Sequence, residues 1–124
     1  MARVLILEDS PLILQMLTMV CESAGHQVHT CESFARATEV AVSDEPPPQV
    51  ILSDLTLPDG PDGSLVAALQ ALPGWREVPV ILISGRPQAE LDRIAAETGA
   101  VGALSKDAGL PAISAALPGL IDGI

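Results

Sequence analysis

Aromatic and basic side chains are scarce in this sequence. Its 124 residues include one tryptophan, one phenylalanine and no tyrosine, and six lysine or arginine residues stand against sixteen aspartate or glutamate residues. The net charge of −10 repels phosphate backbones and anionic membrane surfaces, and no basic cluster offsets it. Trp75 and Phe34 are interpreted as packing residues rather than as a stacking platform. We therefore expect no direct contact with nucleic acid or with a membrane.

Long apolar runs and paired cysteines are also missing. No run approaches the roughly 20 residues of a membrane span, and the apolar run at residues 4–7 is too short for a signal peptide and has no cleavage region. Cys21 and Cys31 form no C-x-x-C pair, so we interpret them as buried thiols in a reducing compartment. These features predict a cytoplasmic protein.

Apolar residues alternate five times between strand-like and helix-like patterns. They make up 48% of the chain, which is enough for the core of a single domain spanning residues 1–124. Ser10 and Ser33 are expected to begin the first two helices, and the last helix to be short, from about Leu110 to a break at Pro118-Gly119. The predicted strands cover residues 3–7, 26–31, 50–54, 80–83 and 100–105.

Five β–α units predict an α/β fold, a flavodoxin-like (βα)₅ doubly wound parallel sheet with helices on both faces. Strands one, three and four are continuous aliphatic runs, as expected for strands covered on both faces. Strand two is mixed, and strand five is made of small residues and contains Gly102. These two fit the edges in the order 2-1-3-4-5, although composition alone leaves other orders open.

Polar side chains follow the strand ends, where ligands bind in a parallel sheet. They are Glu8, Asp9, Asp54, Ser84 and Lys106. Carboxylates packed together repel one another unless a cation neutralises them, and Mg²⁺ accepts both carboxylate and phosphoryl oxygens as ligands. A carboxylate can also act as a nucleophile and carry an aspartyl-phosphate. The group therefore predicts phosphoryl transfer, with Mg²⁺ and Lys106 neutralising charge.

Four stretches of the sequence resemble the receiver domains of response regulators. They are VLILED at residues 4–9, ILSDLTLP at 51–58, VILISG at 80–85 and GAVGALSKD at 99–107. Each stretch alone is a weak signal, but the four occur in order at the predicted strand ends. The resemblance covers nearly the whole chain.

The resemblance implies a phosphorylatable switch with Asp54 as the phosphate acceptor. Asp54 would take the phosphoryl group from the phosphohistidine of a sensor histidine kinase or a phosphotransfer protein. Asp9, Asp54 and the main-chain carbonyl of Thr56 would hold Mg²⁺, with Glu8 acting partly through water. Lys106 would grip the phosphoryl group.

The resemblance also implies how the signal leaves the site. Ser84 would be the switch hydroxyl, which moves toward the phosphate and pulls the loop after the fourth strand with it. Thr56 and Arg86 lie where receiver domains tune the lifetime of the phosphorylated state. An unknown downstream protein would bind the surface formed by the fourth helix, fifth strand and fifth helix. No turnover of an external substrate is expected.

Three further features depart from the receiver pattern, besides the short last helix. Ala103 stands where the family usually has an aromatic residue whose rotamer reports activation. Asp107 stands where proline often follows the lysine, so a trans peptide bond is expected there. The loop at residues 58–63 is one residue longer than usual.

Three other functions compete with a phospho-switch. A pseudo-receiver would use the same fold as a binding module without phosphorylation. A haloacid-dehalogenase-type phosphatase also uses an aspartyl-phosphate, Mg²⁺ and lysine, but its second acid is absent at Thr56 and the chain has no room for a cap domain. Flavin binding fits the fold but not the loops, which lack a hydroxyl-rich phosphate cradle and an aromatic flank.

Overall fold

Over residues 2–124, which a computed structural model describes, five strands alternate with five α-helices. The strands are β1 (Arg3–Leu7), β2 (Gln27–Cys31), β3 (Val50–Asp54), β4 (Val80–Ser84) and β5 (Gly102–Ser105). The helices are α1 (Pro11–Ser23), α2 (Phe34–Ala41), α3 (Leu65–Gln70), α4 (Gln88–Thr98) and α5 (Gly109–Asp122), with a 3₁₀ turn at Lys106–Ala108 before α5.

All strands are parallel, in the order β2-β1-β3-β4-β5. The predicted fold class and strand order are confirmed, including the two edge strands. The three central strands are buried almost throughout, whereas β2 and β5 are partly exposed. Aliphatic runs thus occupy the positions that helices cover on both faces, and less apolar strands occupy the edges.

The core consists of two apolar layers, one on each face of the sheet. Helices α2, α3 and α4 cover the layer that contains Leu5, Ile51, Leu82 and the buried Trp75. Helices α1 and α5 cover the other layer. Cys21 and Cys31 are buried, as predicted, and burial raises the pKa of each thiol to about 11. Within residues 2–124, none of the helices is both long and apolar enough to cross a membrane.

The last helix differs from its prediction. It runs from Gly109 to Asp122 and continues through Pro118 instead of breaking there. Proline inside a helix costs about 3 kcal/mol, but Ile121 beyond it is buried in the core, on the same face as Leu117. Burying such an apolar side chain is worth roughly 1.5–3 kcal/mol. Packing of the residues after the proline therefore offsets the lost hydrogen bond.

The other differences concern element boundaries. Strand β2 begins at Gln27 rather than His26, because the His26 N–H donates to the Cys21 carbonyl (3.1 Å) and so closes the end of α1. Strand β5 begins at Gly102 rather than at residue 100. Ser10 and Ser33 are the N-caps of α1 and α2 as predicted, although the Ser10 side chain forms no capping hydrogen bond. Strand β4 extends one residue further than predicted, to Ser84, while β1, β3 and β5 end where predicted.

Candidate functional site

The carboxyl ends of the strands lie level with one another, and this places the polar side chains together. Leu7 of β1 pairs with Ser53 of β3, and Ser84 of β4 pairs with Ser105 of β5. The residues that end or follow these strands are therefore neighbours at one edge of the sheet. The structure brings Glu8, Asp9, Asp54 and Lys106 into one cluster, which we call the acidic cluster.

Three carboxylates of the acidic cluster lie within reach of one cation. One oxygen from each of Glu8, Asp9 and Asp54 lies within 4.8 Å of the other two. Glu8 and Asp54 are buried, and Asp9 is exposed. The site is thus lined by protein on one side and open to solvent on the other, so a small ligand can enter.

Lys106 joins the two buried carboxylates. Its Nζ atom lies 3.1 Å from Asp54 Oδ2 and 3.0 Å from Glu8 Oε2. Burial lowers the pKa of Lys106, but the hydrogen bonds and charges of Glu8 and Asp54 outweigh it, so the net shift of the pKa is upward. The ammonium therefore stays charged. The peptide bond from Lys106 to Asp107 is trans, as expected.

Glu8 has a buried carboxylate oxygen that accepts no hydrogen bond within residues 2–124. Burial raises its pKa, the negative charge of Asp54 adds to this, and hydrogen bonds from Lys106 and the Ser10 N–H oppose it. Glu8 Oε2 is close to Lys106 Nζ but is not in hydrogen-bond geometry with it, and no other donor within residues 2–124 bonds to this buried oxygen. Its lone pairs remain available to a cation.

The remaining predicted site residues lie around the acidic cluster. The Thr56 N–H donates to Asp54 Oδ1 (3.1 Å), and the Thr56 side chain is exposed at the start of the β3–α3 loop (residues 55–64). Ser84 ends β4, and its buried hydroxyl oxygen accepts a hydrogen bond from the Arg86 N–H (3.2 Å). The Arg86 guanidinium pairs with Glu90 of α4 (3.0 Å), which is not part of the acidic cluster.

Ala103 is buried in β5 and presents a methyl group to the core. Its carbonyl accepts a hydrogen bond of 2.8 Å from the side-chain amide of Gln88. The same amide accepts one of 3.0 Å from the Ser105 N–H. The sequence analysis did not identify Gln88 or Ser105. No local sequence pattern indicates that a side chain forms hydrogen bonds with a strand 15 to 17 residues away.

Asp59 is a further residue that sequence reasoning missed. Its two carboxylate oxygens accept hydrogen bonds of 2.9 Å each from the N–H groups of Phe34 and Ala35, at the start of α2. Ser33 Oγ accepts from the third free N–H, that of Arg36. The β3–α3 loop thereby completes the cap of a different helix, whose first N–H groups would otherwise lack partners.

Comparisons with known proteins agree with this geometry. Residues 4–118 match the family described as the response regulator receiver domain. The chain is 38% identical over 118 residues to the KDP operon transcriptional regulatory protein KdpE of Escherichia coli, covering 94% of this chain and 50% of that protein. It is 32% identical over 94 residues to Protein PilH of Pseudomonas aeruginosa, covering 76% of this chain and 75% of PilH.

Solved structures share the fold at lower identity. The chemotaxis response regulator CheY4 of Vibrio cholerae aligns with a TM-score of 0.76 and 24% identity, covering 97% of this chain and 98% of CheY4. The receiver domain of the sensor histidine kinase PA1611 of Pseudomonas aeruginosa has a TM-score of 0.74 and 21% identity, covers 98% of each chain, and carries a magnesium ion in its active-site cleft. The chain spans about half the length of KdpE.

Proposed function

The chain belongs to the response regulator receiver domain family of two-component signalling, and we propose that it is a switch phosphorylated on Asp54. The observation that carries the proposal is the placement of the Asp54 carboxylate, which is 7% exposed at the end of β3, 3.1 Å from an ammonium and beside two further carboxylates. A carboxylate so placed combines a nucleophilic oxygen with nearby groups that neutralise phosphoryl charge.

The donor set of the acidic cluster fits Mg²⁺. When Glu8, Asp9 and Asp54 are ionised, Lys106 leaves two negative charges uncompensated, which equals the charge that Mg²⁺ supplies. Oxygen ligands on a solvent-facing cluster suit an ion that keeps several waters. In this proposal Asp9, Asp54 and the Thr56 carbonyl hold the ion, and Glu8 acts partly through water. The PA1611 receiver domain, which carries magnesium in its cleft, supports the assignment by analogy.

The chain's own residues would then perform the transfer by positioning. An Asp54 oxygen forms a bond to phosphorus while the P–N bond of a phosphohistidine breaks. The electron pair of the P–N bond stays on the imidazole nitrogen, which takes up a proton. The Thr56 N–H holds one Asp54 oxygen in place. Lys106 pairs with the phosphoryl oxygens, and bound Mg²⁺ would neutralise their remaining charge. The product adds about −1.5 to −2 charge at the cluster.

The phosphoryl donor would be a sensor histidine kinase or a phosphotransfer protein. We propose that the signal leaves through protein contacts at the surface of α4, β5 and α5, with Thr56 and Arg86 affecting its lifetime and with no turnover of an external substrate. KdpE and PhoB of Escherichia coli are named as transcriptional regulatory proteins and are about twice as long as this chain. With its charge of −10, the chain itself is not proposed to touch DNA.

The test is the intact mass after incubation with Mg²⁺ and acetyl phosphate. We expect the wild-type chain to gain one phosphoryl group, and Asp54→Asn or a chelator to prevent the gain. Asp62→Asn is the matched control, because Asp62 is an exposed aspartate outside the acidic cluster, and it should be modified like the wild type. No gain on the wild-type chain would refute the phospho-switch and favour a pseudo-receiver that binds proteins without phosphorylation. Continuous hydrolysis of a phosphate ester would instead favour a phosphatase.

A further inference from the structure

The main chain of Arg86 is held at both of its polar groups by serine hydroxyls. Its N–H donates to Ser84 Oγ (3.2 Å), and its carbonyl accepts from Ser105 Oγ (2.9 Å). Ser105 Oγ also accepts from the Asp107 N–H (3.2 Å), so its single donor and one of its acceptor positions are used. Ser84 and Ser105 are both 5% exposed. The hydrogen bonds are part-buried, because the two serines are shielded while Arg86 is exposed, so water can replace a lost partner at Arg86.

Gln88 adds a second connection between the same two elements. Strand β5 is an edge strand, so the polar groups on its outer side have no strand partner. The Gln88 amide donates to the Ala103 carbonyl and accepts from the Ser105 N–H, as a neighbouring peptide group would. Its second N–H donates to Asp92 on α4 (2.9 Å). The start of α4 is thereby tied to the outer edge of β5.

These contacts connect the β4–α4 loop (residues 85–87) to the acidic cluster. Ser105 is followed directly by Lys106, whose ammonium contacts Asp54 and Glu8. A main-chain shift at Lys106 therefore moves Ser105 as well, and with it the hydroxyl partner of the Arg86 carbonyl. The methyl group of Ala103 has no alternative rotamers through which β5 could respond, so the hydrogen bonds carry the connection.

We propose that Ser105 and Gln88 are positioning residues that hold the β4–α4 loop on β5 and resist its movement toward a phosphoryl group on Asp54. The inference rests on the proposed function. Ser84 Oγ accepts from the Arg86 N–H, so a movement of Ser84 Oγ toward a phosphoryl oxygen requires that the loop follows or that this hydrogen bond lengthens. Hydrogen bonds from Ser105 and Gln88 oppose such a displacement. Weakening them shifts the loop toward the phosphorylated arrangement.

Amide hydrogen exchange of the unphosphorylated protein tests the connection itself. We expect Ser105→Ala to speed exchange at the Arg86 amide, and Gln88→Ala to speed it at the Ser105 amide, by about threefold to tenfold each, the range of one ordinary hydrogen bond. Ser105→Thr keeps the hydroxyl and should restore protection. Ser114→Ala and Gln15→Ala, which change exposed residues of α5 and α1, are the matched controls. Unchanged exchange in both test variants would overturn the proposal.

The rate of phosphoryl gain from acetyl phosphate tests the consequence. We expect Ser105→Ala and Gln88→Ala to be modified about threefold to tenfold faster than the wild type, with Ser105→Thr close to the wild type. Equal or slower rates in a wild type that is modified would overturn the resisting role while leaving the phospho-switch intact. If the wild type gains no phosphoryl group, the proposed function fails, and with it the resistance to a phosphoryl-driven movement. The exchange data would then report separately whether the two residues hold the loop.

Discussion

The two loops beside the acidic cluster are held in place by different kinds of interaction. The β3–α3 loop inserts Leu57, which is 7% exposed, into the apolar layer under α2, α3 and α4, and its Asp59 caps α2. The three residues of the β4–α4 loop are all exposed. The loop and the start of α4 are held by hydrogen bonds to Ser84 Oγ, from Ser105 Oγ and from the Gln88 amide.

The difference sets the free energy needed to move each loop. Exposing a buried leucine costs roughly 1.5–3 kcal/mol, whereas a typical hydrogen bond contributes about 0.5–1.5 kcal/mol, because water replaces the lost partner. The hydrogen bonds of the β4–α4 loop can be lost one at a time, each at this smaller cost, whereas moving the β3–α3 loop exposes Leu57 and also breaks the two Asp59 hydrogen bonds. We therefore expect a modification at Asp54 to displace the β4–α4 loop more readily than the β3–α3 loop. The β3–α3 loop is therefore expected to stay fixed while the β4–α4 loop moves.

Among substitutions in the two loops, Leu57→Ala is expected to lower the free energy of unfolding most. Removing a buried leucine side chain typically lowers the free energy of unfolding by about 2–5 kcal/mol; since Leu57 lies at the edge of the core, we expect about 2–3 kcal/mol. Arg86→Ala in the other loop removes an exposed side chain and one surface ion pair, worth less than about 1 kcal/mol. Urea denaturation of both variants measures the two values. Equal losses would contradict the contrast between an apolar and a hydrogen-bonded loop.

Glu8→Gln is expected to change the free energy of unfolding less than Leu57→Ala does. It is expected to affect the β4–α4 loop more than the β3–α3 loop. Because burial raises the pKa of Glu8, its ionisation opposes folding. Its contribution is most favourable below the unfolded value of about 4.3 and declines as pH rises toward the folded pKa. In metal-free protein at pH 7 the variant should therefore be more stable than the wild type. Mg²⁺ should raise its melting temperature less than that of the wild type.

Glu8→Gln is also expected to change amide exchange in only one of the two loops. Lys106 loses one of its two charged partners, and Lys106 is next to Ser105, which bonds the β4–α4 loop. Amide exchange should therefore change in β5 and residues 85–87 and stay as in the wild type in residues 55–64. A variant less stable than the wild type without metal would mean that the Lys106 pair outweighs the burial of Glu8.

Much of the fold and the acidic cluster was predictable because both follow from short-range patterns. Aliphatic runs of strand length identified the buried central strands, and their composition distinguished them from the edges. Since parallel strands end at one edge of the sheet, the polar residues at those ends had to converge. Glu8, Asp9, Asp54 and Lys106 required no knowledge of side-chain packing to be placed together.

The features that escaped prediction depend on contacts between distant residues. Pro118 signals a helix end locally, but the burial of Ile121 decides otherwise. Asp59, in a loop of turn-forming residues, bonds N–H groups 24 and 25 residues away, and Gln88 and Ser105 bond across 15 to 19 residues. Asp and Gln are ordinary residues at such positions, so the sequence does not distinguish a bonded side chain from a solvated one.

Asp59→Asn is expected to give the smallest effect and to depend on pH. The N–H groups of Ala35 and Phe34 lower the pKa of the Asp59 carboxyl. Its contribution to stability is therefore present above the unfolded value of about 4 and is lost as pH falls through the lower folded pKa. The variant should be less stable than the wild type at pH 7, because an amide has one acceptor oxygen and no charge to interact with the start of α2.

The difference in urea midpoint between wild type and Asp59→Asn should shrink as pH falls below about 4, because the Asp59 carboxyl of the unfolded chain then takes up a proton before that of the folded chain. Asp62→Asn, in the same loop, is the matched control and should show no comparable trend, since Asp62 makes no hydrogen bond to α2 within residues 2–124. The Arg86 amide should exchange at the wild-type rate in both variants, because Asp59 ties the β3–α3 loop and not the β4–α4 loop. Faster exchange at the Arg86 amide in Asp59→Asn would show that the β3–α3 and β4–α4 loops move together.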